Sequence, residues 1–316
     1  MPEASPGTDS TTTDPTSTDP TSVAIQSILF HTSVPAVERT LATLDHSARI
    51  GKAEGSCTRV EVLLGDASRA PLLDSGALAG LRDRLTSLDR LEYVYFDDNV
   101  GTAKGHNALA RLSDSELLVT SNPDIVPDAR ALWRMAAAFA DPSVGMVEAK
   151  QLPFEHPKEY DEHTGHTSWA ATAFAMTRRS VFEAVGGFDE QTFFMYCDDV
   201  DYSWLVREAG LHVVFLPSAV VFHDKELSVD GRWQPTGAER FFSAQAALLL
   251  AHKWSREDLV AEILDHFEVS EVEDERRAAE EFRRRRAEGL LVPQRDPAGS
   301  VGTFVAGAYA EHRFAL

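Results

Sequence analysis

The sequence predicts an α/β fold with a mostly parallel sheet, on three observations. Short apolar runs begin at Ile25, amphipathic stretches of helical length separate them, and several runs end in Asp, Asn or His. Strand, helix and strand repeated at regular spacing imply crossover connections, which pair strands in parallel.

The expected strands are Ile25–Phe30, Arg59–Leu64, Leu91–Phe96, Glu116–Thr120 and Val144–Val147. Between them lie helical stretches at Pro35–Ala48, Ser75–Thr86, Ala103–Leu112 and Pro127–Ala140, with Pro35 and Pro127 suited to first-turn positions. A second block holds a strand at Ala170–Met176, a helix at Ser180–Val185, a break at Gly186-Gly187, a helix at Asp199–Ala209 and a strand at His212–Leu216. Pro235–Lys253, Ser255–Phe267 and Glu271–Glu288 read as helices, the last carrying Arg283-Arg284-Arg285-Arg286. Acids upstream of that run make it a solvated, self-paired face. Residues 1 to about 22 are mostly Ser, Thr, Pro and Asp, a composition expected to stay disordered.

Composition narrows the function classes. With 316 residues, the chain suits one large domain with an appendage, or two smaller ones. Fifty acids against 30 bases leave a formal net charge of -20, which argues against nucleic-acid or anionic-membrane binding. The two cysteines, Cys57 and Cys197, fit a reducing cytoplasm. No apolar run approaches the roughly 18 residues of a bilayer span, and no secretory leader pattern is present. A cytoplasmic enzyme is expected.

Ligands of such sheets collect beyond the carboxyl ends of the strands. Four runs end there in polar groups: Asp66; Asp97-Asp98-Asn99; Ser121-Asn122-Pro123-Asp124; and His223-Asp224. Any one alone is ordinary turn chemistry. Several on one edge imply a cation or positive ligand that offsets their repulsion. Asn122 and Asp124 can offer oxygens to Mg²⁺ or Mn²⁺, and His223 an imidazole, provided that folding makes them neighbours. The stretch Asn99-Val-Gly101-Thr-Ala-Lys-Gly105-His-Asn107 opens a helix whose N-terminus suits a phosphate or base edge. In Phe193-Phe-Met-Tyr-Cys-Asp198-Asp199-Val-Asp201, Asp198 is a good N-cap and Asp201 complements the helix dipole. That leaves Asp199 beside aromatic residues, as a general base requires.

Taken together, Asn122-Pro-Asp124, Thr177–Glu190, Asp198-Asp-Val-Asp201 and Pro217-Ser-Ala-Val-Val-Phe-His223 resemble the inverting family-2 glycosyltransferases of the GT-A fold, in particular their rhamnosyltransferase-like branch. The likeness covers about residues 25–225, with the motifs in the family's order. It implies a GT-A type, Rossmann-like sheet flanked by helices, with a helical C-terminal appendage. The implied division is a tail (1–22), a glycosyltransferase domain (23–225, with a nucleotide-binding half, 23–125, and an acceptor and catalytic half, 126–225) and a helical extension (226–316).

The resemblance also implies roles. Asp66 would accept from a uracil or thymine ring; Asn99, Gly101, Gly105, Asn107 and Asn122 would line the nucleotide site. Asp124 and His223 would hold a divalent cation, Mn²⁺ or Mg²⁺. Asp199 would be the catalytic base. Gly187-Phe-Asp189-Glu190 would face the acceptor. From its His- and acid-rich composition, Glu155–Trp169 is expected to be a mobile acceptor loop, with Trp169 as an acceptor contact. The family usually has an acid at the position of Asn122 and Glu at that of Asp198, so the base lies between Asp198 and Asp199.

The implied activity transfers a sugar, with rhamnose one option, from a dTDP- or UDP-linked donor to a hydroxyl of a glycan, lipid-linked or small-molecule acceptor, with inversion, as in polysaccharide biosynthesis. Two other readings stay open: a sugar-nucleotidyltransferase, although Ile25–Pro35 lacks the Gly-rich basic loop expected of one, and a non-catalytic carbohydrate-binding protein on the same fold. The C-terminal helices could serve an oligomer or cap the sheet.

Overall fold

The computed structural model describes residues 21–156, 158–224, 236–305 and 307–309. Among the described residues nine strands are formed: β1 (Thr21–Leu29), β2 (Cys57–Asp66), β3 (Arg90–Tyr95), β4 (Leu117–Ser121), β5 (Ile125–Pro127), β6 (Val144–Leu152), β7 (His166–Thr167), β8 (Phe174–Arg178) and β9 (His212–His223). The helices are α1 (Val34–Ala53), α2 (Ser75–Arg84), α3 (Gly101–Ala110), α4 (Ala131–Ala138), α5 (Arg179–Val185), α6 (Asp198–Glu208), α7 (Gly237–Lys253), α8 (Glu257–Glu268) and α9 (Glu273–Ala287).

The strands form one sheet in the order β3-β2-β1-β4-β8-β6-β9-β5, with β7 beside β9. β3, β2, β1, β4, β6 and β9 run one way; β8, β5 and β7 run against them. Six carboxyl ends therefore share one edge. Both faces of the sheet are covered, so β2 is buried almost throughout rather than at alternate positions. α1 and α4 contribute Leu41, Leu44, Leu132 and Trp133 to the core on one face. α3, α5 and α6 cover the other with Leu109, Phe182, Tyr202 and Val206.

Local chemistry sets several element ends. Ser33 accepts from Ala36 N at 3.3 Å with Pro35 in the first turn of α1, and Asp74 caps α2 through Ala77 N at 2.8 Å. Thr236 and Glu239 form a reciprocal capping box at α7. Gly186 ends α5 in the left-handed region.

Three expectations need correction. Pro127 lies in β5, opposite Val221 of β9, and α4 starts only at Ala131; pairing with β9 outweighs the proline's preference for a helical first turn. Cys197, not Asp198, is the N-cap of α6, and Asp198 is already helical. Thr21 and Ser22 belong to β1, whereas the rest of the expected tail lies outside the described residues.

The C-terminal helices do not stand apart. Trp204 of α6 packs edge-to-face on Trp254 at 5.2 Å and on Phe304 at 5.0 Å. This third core joins Phe193, Cys197 and Trp204 to α7, α8 and α9, so α6 is sandwiched between the sheet and the helical segment. The arginine run is paired, but only partly within its own helix as expected: Arg284 with Glu281 and Glu288 and Arg285 with Glu281, whereas Arg283 and Arg286 reach Glu268 and Glu257 of α8.

Candidate active site

The turn after β4 brings Asp124 to the end of β9. Thr40 of α1 donates to the carbonyls of both Pro123 and Ile125, at 2.9 Å each, pinning the turn from below. Ile125 is in register with His223, and Asp224 N donates to the Asp124 carbonyl at 3.1 Å. His223 Nε2 then lies 3.3 Å from Asp124 Oδ1 and 3.4 Å from Asn122 Nδ2. On the far side of the ring, Nδ1 faces Gln151 Oε1 at 2.8 Å.

With Gln151 Oε1 facing Nδ1, the ring carries its proton there, since a carbonyl oxygen can only accept. Nε2 then turns a lone pair toward a carboxylate, and that approach is repulsive until a proton or cation lies between them. A neutral imidazole and a carboxylate oxygen are the donors a divalent ion takes when phosphates and water complete its shell. Among the described residues, no group of three or more His, Cys, Asp or Glu could hold a metal ion by itself. The pair fits a cation shared with a ligand.

The paired acids lie at the same sheet edge. Asp198 is buried, and its Oδ2 accepts from the Thr102 hydroxyl at 2.7 Å. Burial, then the charge of neighbouring Asp199, pushes the Asp198 carboxyl up to about 7, against the lowering effect of Thr102. Asp199, second in α6, is half-buried, and its Oδ1 accepts from Val200 N at 2.9 Å. The preceding residues, Tyr196 (φ 66°) and Cys197 (φ 55°), are both left-handed without being glycine. Such backbone persists only where its surroundings enforce it.

The nucleotide-side residues divide differently from the expectation. Asp66 ends β2 at 0% exposure, with Oδ1 accepting from Ser68 N at 2.9 Å and Oδ2 from Leu72 N at 2.7 Å and the Tyr93 hydroxyl. Burial acts to raise this carboxyl, but the bonds from Tyr93, Leu72 and Ser68 together hold it below its ordinary value. It braces the loop that follows β2 and has no open face for a base. Asn107 is likewise buried, donating to the Phe188 carbonyl and Glu190 Oε2 at 2.8 Å each and accepting from Phe188 N at 3.0 Å. Gly105 packs on Ile28. Gly101, at φ +74°, lies so close to Phe194 that any side chain would strike its carbonyl. Two amides at the start of α3 are already engaged, Gly101 N by Asn99 Oδ1 at 3.3 Å and Thr102 N by the Phe194 carbonyl at 2.9 Å. Asn99 itself is exposed at the sheet edge.

On the acceptor side, Glu190 is exposed and Asp189 accepts from Lys253 Nζ at 2.7 Å. Trp169 is only 3% exposed, with Lys158 Nζ 3.9 Å above its ring and Tyr309 against its edge. Lys158 also pairs with Glu148, both fully inside. Lys158 and Trp169 therefore anchor the stretch expected to be mobile, and Trp169 is among the residues lining the cavity beside it, with Lys158 over its ring.

Sequence reasoning passed over Gln151, Thr102 and Lys253. A neutral residue in a buried strand and a threonine in a first turn give no signal by themselves. Lys253, directly before Trp254 at the end of an apolar helix, is the one that pattern could have flagged.

No family model matches the sequence. A 57-residue segment, 18% of this chain, is 46% identical to N-acetylglucosaminyl-diphospho-decaprenol L-rhamnosyltransferase of Mycobacterium tuberculosis and covers 18% of that protein. Over 138 residues, 37% of this chain and 43% of the relative, it is 26% identical to the O-antigen chain rhamnosyltransferase RfbN of Salmonella typhimurium. The chain thus matches less than half the length of either. Among solved structures, mannosyltransferase PcManGT from Pyrobaculum calidifontis, in complex with GDP-Man and Mn²⁺, aligns with a TM-score of 0.55 at 19% identity, over 74% of this chain and 64% of that one. GalNAc-T7 with UDP, GalNAc and Mn²⁺ aligns with a TM-score of 0.61 at 10% identity, over 87% and 59%. At these identities the structural likeness is one of fold. The chain is rhamnosyltransferase-like in sequence and has the GT-A fold of the glycosyltransferases.

Proposed function

We propose that this chain is an inverting glycosyltransferase that moves a sugar, rhamnose being the leading candidate, from a dTDP- or UDP-linked donor to an acceptor hydroxyl. The observation that carries the reading is His223 Nε2 beside Asp124 Oδ1, at the edge where α6 presents Asp198 and Asp199. The rhamnosyltransferase names of the sequence relatives support the sugar, and the nucleotides and Mn²⁺ named in the structural neighbours support the donor class.

In this reading Asp124 and His223 hold a divalent cation, which when bound supplies Lewis-acid neutralisation of charge on the departing diphosphate. Asp199 accepts the proton of the acceptor hydroxyl as that oxygen attacks the anomeric carbon from the face opposite the leaving group. Asp198, bonded to Thr102, fixes the first turn of α6. Its raised affinity for a proton limits repulsion beside Asp199 and leaves Asp199 as the working base. The acceptor enters past Glu190, and the nucleoside lies over the strand ends near Asn99 and Asn122.

Incubation of the purified chain with dTDP-, UDP- and GDP-sugars, with an acceptor panel and either Mn²⁺ or EDTA, tests this. Release of nucleoside diphosphate with Mn²⁺ and none with EDTA is expected, and proton NMR of the product gives the anomeric configuration. Release of pyrophosphate from dTTP or UTP on addition of a sugar 1-phosphate would instead make the chain a nucleotidyltransferase. Absence of turnover and of nucleotide binding across the panel would leave a non-catalytic protein.

A further inference from the structure

Lys253, the last residue of α7, is buried, yet it touches both segments that flank the candidate catalytic turn. Its Nζ donates to Asp189 Oδ2 at 2.7 Å, before the turn, and to Asp201 Oδ2 at 2.8 Å, after it. Trp254 Nε1 takes the other oxygen of Asp201 at 2.9 Å. Asp189 in turn accepts from Gln191 N and Thr192 N, at 3.2 and 3.1 Å. Between the two anchors runs the Phe193–Cys197 stretch with its two left-handed non-glycine residues, and Asp198 and Asp199 follow directly.

We infer that Lys253 is a positioning residue: it clasps Asp189 to Asp201 and so fixes the turn that aims the Asp198-Asp199 pair. Four carboxylates, Asp189, Asp198, Asp199 and Asp201, crowd this turn, and one buried ammonium ties two of them. Without it, Asp189 and Asp201 would repel each other inside the protein, and the strained backbone between them would lose a constraint at each end. The assignment gives the C-terminal helices a role at the site: they deliver the cation that holds the catalytic turn. Its consequence for rate rests on the proposed function, whereas its consequence for the backbone does not.

Two variants separate these. Lys253→Met keeps the length of the side chain and removes the charge. Trp254→Phe keeps an aromatic ring beside Trp204 and removes the bond to Asp201 together with part of the buried indole. Hydrogen exchange followed by mass spectrometry should show amides of residues 191–201 exchanging at least about tenfold faster in Lys253→Met, with α9 unchanged, and a smaller change at the same residues in Trp254→Phe. In the transfer assay kcat should fall about 10²-fold in Lys253→Met, as expected for a misplaced catalytic group, while calorimetric affinity for UDP or dTDP with Mn²⁺ stays within about twofold. If Lys253→Met fails to fold, Trp254→Phe decides. Unchanged exchange at 191–201 in a folded variant overturns the clasp, as does full kcat in an active one. Inactivity of the wild type, with the exchange effect intact, instead counts against the proposed function.

Discussion

His223 Nε2 sits 3.3 Å from Asp124 Oδ1, two residues brought together from the end of β9 and the turn after β4. The ring is oriented from behind by Gln151, so its lone pair and the carboxylate point at the same spot.

Asp124→Ala and His223→Ala should therefore each abolish the response to Mn²⁺ in both nucleotide binding and transfer. Gln151→Leu keeps both ligands but frees the ring, and should weaken Mn²⁺ affinity about 10–100-fold. Electron paramagnetic resonance of free Mn²⁺ in the presence of UDP or dTDP reads that affinity without turnover. Wild-type affinity in Gln151→Leu would show that the ring needs no orienting partner.

Asp199→Asn should lose about 10²–10⁴ in kcat while still binding nucleotide. Asp198→Asn should cost far less, because the amide oxygen can still accept from Thr102 and the native group holds a proton up to about pH 7. The reverse ranking in steady-state kinetics would move the base to Asp198.

Two buried carboxyls lower stability as pH rises, against buried His106, which burial pushes down to about 4 and which favours the folded chain as pH rises toward 6.5. Burial, then the charge of Asp199, raises Asp198 from 3.8 to about 7. Burial raises Glu148 from 4.5 to about 7 even with Lys158 beside it. Between the ordinary and raised values the folded chain holds protons that the unfolded chain has released, so stability falls as pH rises through that window. Calorimetric unfolding should show a lower midpoint at about pH 8 than at about pH 5.5. Asp198→Asn should flatten its share of the slope and raise the midpoint over wild type at pH 8. A midpoint that rises over this range would contradict the assignment.

Asp66→Asn should act on stability, not on the choice of base. Three donors would lose a charged acceptor, at a cost of roughly 1.5–3 kcal/mol in chemical denaturation. The ratio of UDP to dTDP affinity should stay within about twofold of wild type. A large change in that ratio would mean that the loop after β2 opens and exposes the carboxylate.

Residue order carried much of this. Alternating apolar runs and amphipathic stretches placed most strands and the helices within a few residues, because burial of whole faces leaves a periodic trace, but missed the short β5 and β7 and the far half of β9. The motif at Asp124, the histidine at His223 and the acids at Asp198 and Asp199 were legible because polar groups at strand ends and helix starts break that trace. Pro127 misled, since a proline fits either a helix start or an edge strand, and only pairing with Val221 separates the two.

The sequence by itself determined the α/β class, the polar carboxyl edge and the candidate residues on it, which follow from local pattern, and the family resemblance supplied their roles. Tertiary structure alone decided that Asp124 meets His223, that Asp66, Asn107 and Trp169 are spent on internal contacts, and that Lys253 reaches the catalytic turn. A side chain's partners depend on what the rest of the chain packs around it, and hydrogen bonds between segments far apart in sequence leave no periodic mark in either one.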